Sequence, residues 1–368
     1  MVIVGGGPAG AVAALVLARR GVRVTVLESR AAPELKVGEC LPPSLSPLLR
    51  HLGLEALLEQ DGHLRSHGNR FVWGSPRPGE RPFLAGTQGD GWHVDRRRFE
   101  ERLAAAAIGA GADWRWGCRL LDCLRCDRAD RWRLKVSNNP EILEADFVAD
   151  ASGRGAHLAR RLGAGRVRYD RLVGVAALLA SSTPAADTYT LVEAVPDGWW
   201  YSALLAGGRL AVAFMTDGDL LDRRFLDPES GPDAWRSALK ETAETRARVE
   251  ERAYEIDSPL RVLPAETSRL DAIAGDGWLA LGDAAAAYDP LSSHGIGSAM
   301  GSGFYAGNAI ADLLAGREEA GLAYLDLMQQ AYGAYLDLQR GHYGRERRWA
   351  GAPFWRRRQA ETYCLEPL

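Results

Sequence analysis

The chain has 368 residues, 46% of them hydrophobic, and a formal net charge of −3. That length supports one large core or two joined domains, and nothing in the charge suggests a nucleic-acid partner, which would need a basic stripe. No apolar run approaches the ~20 residues of a membrane span, and no charged region followed by an apolar run opens the chain; a cytoplasmic protein without nucleic-acid or membrane partners is expected.

The first expected element is a buried strand, Val2-Ile3-Val4. Gly5, Gly7 and Gly10 follow in G-x-G-x-x-G spacing, with Pro8 and Ala9 inside the turn. A helix is expected over Ala11 to Arg20, then a second strand over Val22 to Leu27 that ends in Glu28. Gly5 permits the tight turn, Gly7 lets a pyrophosphate approach the backbone, and Gly10 lets the helix lie close on the strand. The helix N-terminus offers free N–H groups and partial positive charge to phosphate. Glu28 is placed to accept the hydroxyls of an adenosine ribose, and Ser29 and Arg30 close the unit. Strand, turn, helix, strand and acid together mark a dinucleotide site. FAD and NAD both remain open at this point.

Gly38-Glu39-Cys40-Leu41-Pro42-Pro43 reads as a fixed loop, because prolines do not sit inside central strands or helices. Ser44 is placed to cap a helix over Leu45 to Leu52, stopped by Gly53, with a second helix over Leu54 to Gln60. Residues 61–92 are crowded with glycine, proline, histidine and tryptophan and read as short strands and turns. A helix follows from Arg97 to Ala110, with Phe99, Leu103 and Ala106 on one face. Strands are expected from Trp114, over Leu120 to Cys126, over Trp132 to Val136 and over Ala145 to Ala149, with a turn at Asn138-Asn139-Pro140. The last of them enters Asp150-Ala151-Ser152-Gly153-Arg154.

From about 166 to 264 the pattern is mainly β. Val173 to Ala180, Tyr189 to Val195, Trp199 to Leu205 and Arg209 to Thr216 read as four antiparallel strands forming one wall of a cavity. Trp199 and Trp200 are neighbours on a strand and point opposite ways; one is expected in the core and the other on the cavity. Asp233 to Glu251 reads as one charged amphipathic helix. The five cysteines, Cys40, Cys118, Cys123, Cys126 and Cys364, are an odd number and argue against a disulfide framework. Cys123 and Cys126 form a C-x-x-C that lacks the second pair a zinc site wants. A strand that happens to carry cysteines is the favoured reading, and no metal site is expected.

Trp278 to Leu281 returns as a buried strand and runs into Gly282-Asp283, followed by Pro290 and a glycine-rich helix that starts near Ser293. An NAD dehydrogenase does not need this second motif. FAD is long, and its flavin must be held far from its adenine. Gly295, Ile296 and Gly297 expose backbone against which an isoalloxazine can lie, at a helix N-terminus that favours negative charge. His294, at the start of that helix, is a candidate acid/base near neutral pH, with helix-end hydrogen bonding as the alternative. Glu39, a polar group in a rigid corner, is the other candidate. The arginine-rich end, Arg340 to Arg358, reads as a solvated helix face, docking of an acidic partner being the lesser reading.

The order of these motifs resembles the FAD-dependent monooxygenases of the para-hydroxybenzoate hydroxylase group: the first glycine turn, then Arg96 with Phe99 and Leu103, then Asp150 to Arg154, then Gly282-Asp283, Pro290 and Gly295. Within that group the chain is similar to the tryptophan-halogenase-like branch, and more narrowly to flavoprotein maturases that hydroxylate a tryptophan in precursors of quinone-cofactor amine oxidases. The stretches that carry this are Gly38 to Pro43, Gly68-Asn69 with Trp73-Gly74-Ser75, Gly198 to Ser202, Asp289 to Ser293, Arg348-Trp349 and Phe354 to Arg358. The resemblance implies an α/β fold with a discontinuous, Rossmann-like FAD-binding domain of the glutathione-reductase type. A mainly antiparallel β-sheet substrate domain is inserted in it, and the C-terminus is helical. The expected boundaries are 1–62, 93–165 and 265–320 for the FAD domain, 63–92 and 166–264 for the substrate domain, and 321–368 for the helical end. The resemblance also places the adenosine ribose on Glu28, the phosphate-ribityl region on Arg96, the ribityl or pyrophosphate on Asp283, and the flavin on the backbone of Gly295 and Ile296.

Halogenases of this superfamily use a lysine between flavin and substrate, in a stretch that corresponds to residues 41–92, and a W-x-W-x-I-P box. Residues 41–92 hold no lysine, and Trp199-Trp200-Tyr201-Ser202 stands where the box would be. The resemblance therefore implies a monooxygenase that hydroxylates an electron-rich aromatic ring with O2 through a flavin C4a-hydroperoxide. The ring belongs to a tryptophan of a precursor polypeptide or to a small natural product. NAD(P)H or a partner reductase supplies the electrons. A flavin-dependent double-bond reductase and a non-enzymatic, precursor-binding flavoprotein are the alternatives of other classes.

Overall fold

The structure is a computed structural model that describes every residue except 35, 37, 127–130, 139–141, 184–185 and 360–368. Cys364, most of the turn expected at 138–140, and the end of the helical tail lie outside the described residues.

Val2–Val4 lies inside a six-stranded sheet in the order Ala274–Gly275, Trp278–Ala280, Val148–Asp150, Val2–Val4, Thr25–Glu28, Asp113–Trp116. All neighbours are parallel except the first pair. Ile3 pairs with Val26 on one side and Ala149 on the other, and all three are fully buried. Continuous apolar runs of this kind are what a sheet covered on both faces requires. The strands come from three separated stretches of chain, and their ends share one edge. The helix Pro8–Arg19 packs on this sheet, and the long helix Gly295–Leu314 packs on that helix. The contact is close because a Cβ on Gly303 would lie 2.3 Å from the carbonyl oxygen of Ala9.

The second large sheet holds Glu255–Ile256, Leu172–Ala180, Leu210–Asp217, Gly198–Leu204, Thr190–Val195, Gly68–Val72 and Gly79–Pro82 in that order, with Arg261–Pro264 also paired to Leu172–Ala180. Its pairs are antiparallel except Thr190–Val195 with Gly68–Val72. Leu172–Ala180 pairs with Leu210–Asp217, the fourth strand of its run rather than the next. A small sheet of Cys40–Leu41, Gly91–His93 and Leu64–Ser66 joins the two halves of the molecule.

Three expectations are corrected. The single helix over 233–251 is two, Gly231–Leu239 and Glu244–Glu250. The break is made by Glu193, a buried carboxylate that accepts the N–H groups of Ala243 at 2.6 Å and Thr245 at 2.8 Å, so a new helix N-terminus forms there. Ser44 caps no helix: the turn Pro43–Leu45 precedes Ser46–Leu52, whose N-cap Leu45 makes no side-chain bond. The arginine-rich end is not simply a solvated face. Arg358 is 4% exposed and pairs at 2.6 Å with buried Asp217, to which Arg357 also donates at 2.8 Å. These pairs hold the helix Pro353–Gln359, with Phe354 and Trp355 fully buried, on the second sheet.

Candidate active site

One long cleft, about 990 Å³, runs from the first glycine turn to the second sheet. At its near end lie Gly5, Gly7, Pro8, Ala9, Glu28, Ser29 and Arg30. Gly10 is not on the wall; it faces inward, where a Cβ would sit 2.0 Å from the Gly5 carbonyl oxygen. Gly7 faces open space, with nothing within 4 Å of a Cβ position. Glu28 is tied to its own turn: one oxygen accepts from Gly6 N at 2.8 Å and the other from Arg30 N at 2.8 Å.

The middle of the cleft is cationic. Asp95 caps the helix Arg96–Gly109 by accepting from Arg97 N at 2.9 Å, which sets Arg96 in the first turn. Arg96 donates to the Gly38 carbonyl at 2.8 Å and to Glu100 at 2.5 Å, and Lys36 reaches the same carboxylate. Burial acts to raise the Glu100 carboxyl, but Arg96 and Lys36 outweigh it and hold it below the usual range. Across the cleft, Arg154 donates to the Tyr288 carbonyl at 2.9 Å and lies 3.9 Å from Asp283.

At the far end, Pro290, Ser293, Gly295 and Ile296 line the wall. Gly282 lies behind Asp283, its N–H donating to Ser302 Oγ at 2.7 Å. His294 is exposed at the helix start, makes no capping bond through its ring, and is not on the cleft wall. The second sheet closes this end with Gly174, Tyr201, Met215, Leu263, Pro264 and Ala265, and Cys40 joins them.

Neither Trp199 nor Trp200 lines the cleft, against expectation; both are fully buried. Strand alternation does separate them. Trp200 packs on Phe214 and Trp235 on one face, while Trp199 lies on the other, where Tyr343 and Trp355 fill the space. The chain's own C-terminal helices occupy the tryptophan face, so the tyrosine two residues on is what reaches the cavity.

Glu39 is 1% exposed and sits behind the wall. Its carboxylate accepts from Tyr201 Oη at 2.7 Å and from Gly38 N at 2.8 Å. Cys40 heads a second string. His93 Nδ1 is 2.9 Å from the Leu204 carbonyl, which can only accept, so that nitrogen carries the proton. Nε2 then accepts the Thr190 hydroxyl at 2.9 Å, and the Cys40 thiol lies 3.7 Å from Thr190 Oγ1. Burial pushes the Cys40 thiol up to about 11, so it stays protonated. Cys123 and Cys126 share the strand Leu120–Cys126 at an odd offset, which turns them to opposite faces.

Sequence reasoning left Ala151 to Arg154 without a role and missed Cys118, Arg119, His157 and Arg161, all on the cleft wall. The strand end at Asp150 was a signal for the first group; nothing in the sequence marks the second. Among the described residues no metal-binding cluster occurs, and no helix is long and apolar enough to cross a membrane.

The cleft fits FAD. It is at the upper end of the roughly 300–1,000 Å³ range of ligand pockets. Two helix N-termini, at Pro8 and Gly295, meet it at opposite ends, with Arg96 and Arg154 between them. A Cβ at Gly7 or Gly295 would meet only open space. This fold and site define a FAD-dependent oxidoreductase. The FAD binding domain family model matches residues 1–327, and the chain belongs to that family. It is 30% identical over 365 residues to LodB of Marinomonas mediterranea, named as a candidate FAD-dependent oxidoreductase, covering 98% of this chain and 96% of that one. Among solved structures it is similar to the flavin-dependent halogenase CmlS, with a TM-score of 0.86 and 26% identity over 98% of this chain and 67% of that one. It is also similar to QhpG, a peptidyl tryptophan dihydroxylase essential for tryptophylquinone cofactor biogenesis, with a TM-score of 0.79 and 27% identity over 98% of this chain and 78% of that one.

Proposed function

We propose that this chain is a monooxygenase that hydroxylates an electron-rich aromatic ring, in the first place a tryptophan side chain of a precursor polypeptide. The observation that supports it is the make-up of the cleft's far end: an apolar wall of Gly174, Met215, Leu263, Pro264 and Ala265 that carries Tyr201 and, among the described residues, no lysine. Lys36, the one lysine among the described residues on the cleft, is bound to Glu100 beside Arg96. The name of QhpG points the same way.

FAD, once bound and reduced, supplies the oxygen activation. The proposed roles of the chain's residues are these. Glu28 would hold the adenosine ribose, Arg96 and Asp283 the phosphate-ribityl region, and the Gly295 and Ile296 backbone the ring. The apolar wall excludes water, which strengthens every polar contact inside it. The N-terminus of Gly295–Leu314 favours the negative charge that builds on a reduced flavin. Of the two acid/base candidates, Glu39 reaches the cleft through Tyr201, whereas the His294 ring faces solvent. NAD(P)H or a partner reductase is the proposed electron source, and O2 the co-substrate.

Halogenation is the second reading, favoured by the name of CmlS. Mass spectrometry of a tryptophan-bearing precursor peptide, incubated with the protein, FAD, a flavin reductase, air and bromide, separates the two. One added oxygen, lost under nitrogen, is the expected result. Bromine in the product transfers the assignment to halogenation, and a reduced product without oxygen transfers it to double-bond reduction.

A further inference from the structure

The strand Arg261–Pro264 is an edge of the second sheet, and among the described residues it pairs with Leu172–Ala180 alone. Its register sets Leu263 opposite Gly174 and Val262 opposite Val175. The Ala265 N–H donates to the Leu172 carbonyl at 3.0 Å, so the bonded positions of this antiparallel ladder are Ala265, Leu263 and Arg261. The N–H and C=O of Val262 therefore point away from the sheet. Val262 is 42% exposed, and these two groups meet solvent. Pro264 faces the same way and offers its carbonyl. An edge with unanswered main-chain groups is a template for another strand. This one is also part of the site, because Leu263 and Pro264 line the far end of the cleft. Met215, Gly174 and Leu263 form one row across the sheet, all three on the cleft wall, and the row stops at Leu263. Arg261 lies on the same face two residues earlier. It is exposed and makes no ion pair among the described residues; the acids flanking its strand are taken, Asp257 by Arg209 at 2.9 Å and Glu266 by Arg154 at 3.6 Å.

We propose that Arg261–Pro264 receives the substrate polypeptide as an added antiparallel strand, and that this addition carries the substrate's tryptophan to the far end of the cleft. The proposal deepens, and rests on, the reading of the cleft as a site that hydroxylates a tryptophan within a polypeptide. One residue of the incoming segment exchanges two main-chain hydrogen bonds with Val262. The residue before it then stands opposite Leu263, with the two Cβ atoms about 5 Å apart. That residue is the tryptophan, and its side chain extends the row of Met215, Gly174 and Leu263. The residue after it stands opposite Arg261, where an acidic side chain answers the unpaired guanidinium. The segment therefore reads tryptophan, any residue, then aspartate or glutamate. The middle side chain faces away from the cleft, beside Val262, where a β-branched residue suits a strand. Main-chain bonds hold the segment whatever its sequence, and Leu263 and Arg261 read its alternate side chains.

The probe is a short rhodamine-labelled peptide with a central tryptophan, then valine, then glutamate. Fluorescence anisotropy reads its binding to the FAD-loaded protein, and mass spectrometry after incubation with a flavin reductase in air reads added oxygen separately. Val262→Pro removes the outward N–H and no ladder bond, and Pro264 shows that this edge accepts proline. The variant should bind the peptide about tenfold more weakly, for one lost main-chain bond and a blocked edge, with FAD affinity unchanged. Methylating the valine nitrogen of the peptide should weaken binding to the wild type alike, and it carries the test if Val262→Pro does not fold. Arg261→Glu should weaken the glutamate peptide about threefold and favour one with lysine in its place. No binding by the wild type, or equal binding with and without these changes, overturns strand addition. A dimer of the protein that Val262→Pro dissociates gives the edge to a second copy and also overturns it. Oxygen added equally by the wild type and Val262→Pro overturns the docking and leaves the hydroxylase reading standing. A peptide bound as described that gains no oxygen supports the docking and overturns the hydroxylase reading.

Discussion

At the scale of single residues, burial has fixed the protonation of His93. It is fully buried, and burial moves it from an ordinary 6.5 down to about 4. The unfolded chain binds a proton below 6.5 that the folded chain refuses until about 4. Stability from this group is therefore full above 6.5 and is lost as pH falls through that window, by about 3 kcal/mol. Urea unfolding at a series of pH values should show His93→Asn with a shallower acid slope than the wild type between 6.5 and 4. Equal slopes would mean that His93 titrates freely. Nothing in Trp92-His93-Val94 announces this, because the Leu204 carbonyl and Thr190 hydroxyl that fix the ring arrive from distant strands. The same holds for Tyr201: the tryptophans beside it draw the eye, and only the packing of Tyr343 and Trp355 over Trp199 shows which of the three reaches the cavity.

At the scale of elements, the readable features are those a local pattern dictates. The glycine turn, the helix after it and the strand ending in Glu28 depend on residues within one stretch, and so does the strand ending in Gly282-Asp283. The helix break at 240–243 depends on Glu193, which lies far away in sequence, and so cannot be read from periodicity. The short helix Pro353–Gln359 is a similar case. Seven residues with three consecutive arginines would not hold a helix in water; Asp217 and the burial of Phe354 and Trp355 hold it. Arg358→Ala leaves Asp217 buried with Arg357 as its remaining ion-pair partner. The expected loss is about 3 kcal/mol, at the low end for a broken buried pair because Arg357 remains. Urea denaturation checks the loss, and limited proteolysis should cut the C-terminal helix first. Stability within 0.5 kcal/mol of wild type, roughly the scatter of ordinary surface substitutions, would show that the pair is dispensable.

At the scale of the molecule, the two backbone cradles serve one ligand only if they stay in register, and the residues that keep them there belong to neither motif. The helices Pro8–Arg19 and Gly295–Leu314 cross in contact, and each starts at one end of the cleft. Gly303 permits the crossing: its added Cβ would lie 2.3 Å from the Ala9 oxygen. Gly307 repeats the device one turn on, at 2.9 Å from Val16 Cβ. The chain therefore spends small residues on the distance between its cradles as well as on the cradles themselves. Gly303→Ala changes no group on the cleft wall, yet it must push the helices apart and move one N-terminus relative to the other. At saturating FAD, near a hundred times Kd, the wild type gains about 2.7 kcal/mol of stability. The variant should lose at least half of that gain and bind FAD more than tenfold more weakly, as read by fluorescence titration. Gly7→Ala, whose Cβ enters the cleft without touching protein, should weaken FAD while leaving the stability of the FAD-free protein near wild type. Gly303→Ala should lower both. Were Gly303→Ala to bind FAD as well as the wild type, the spacing of the two helix N-termini would not be what holds the dinucleotide.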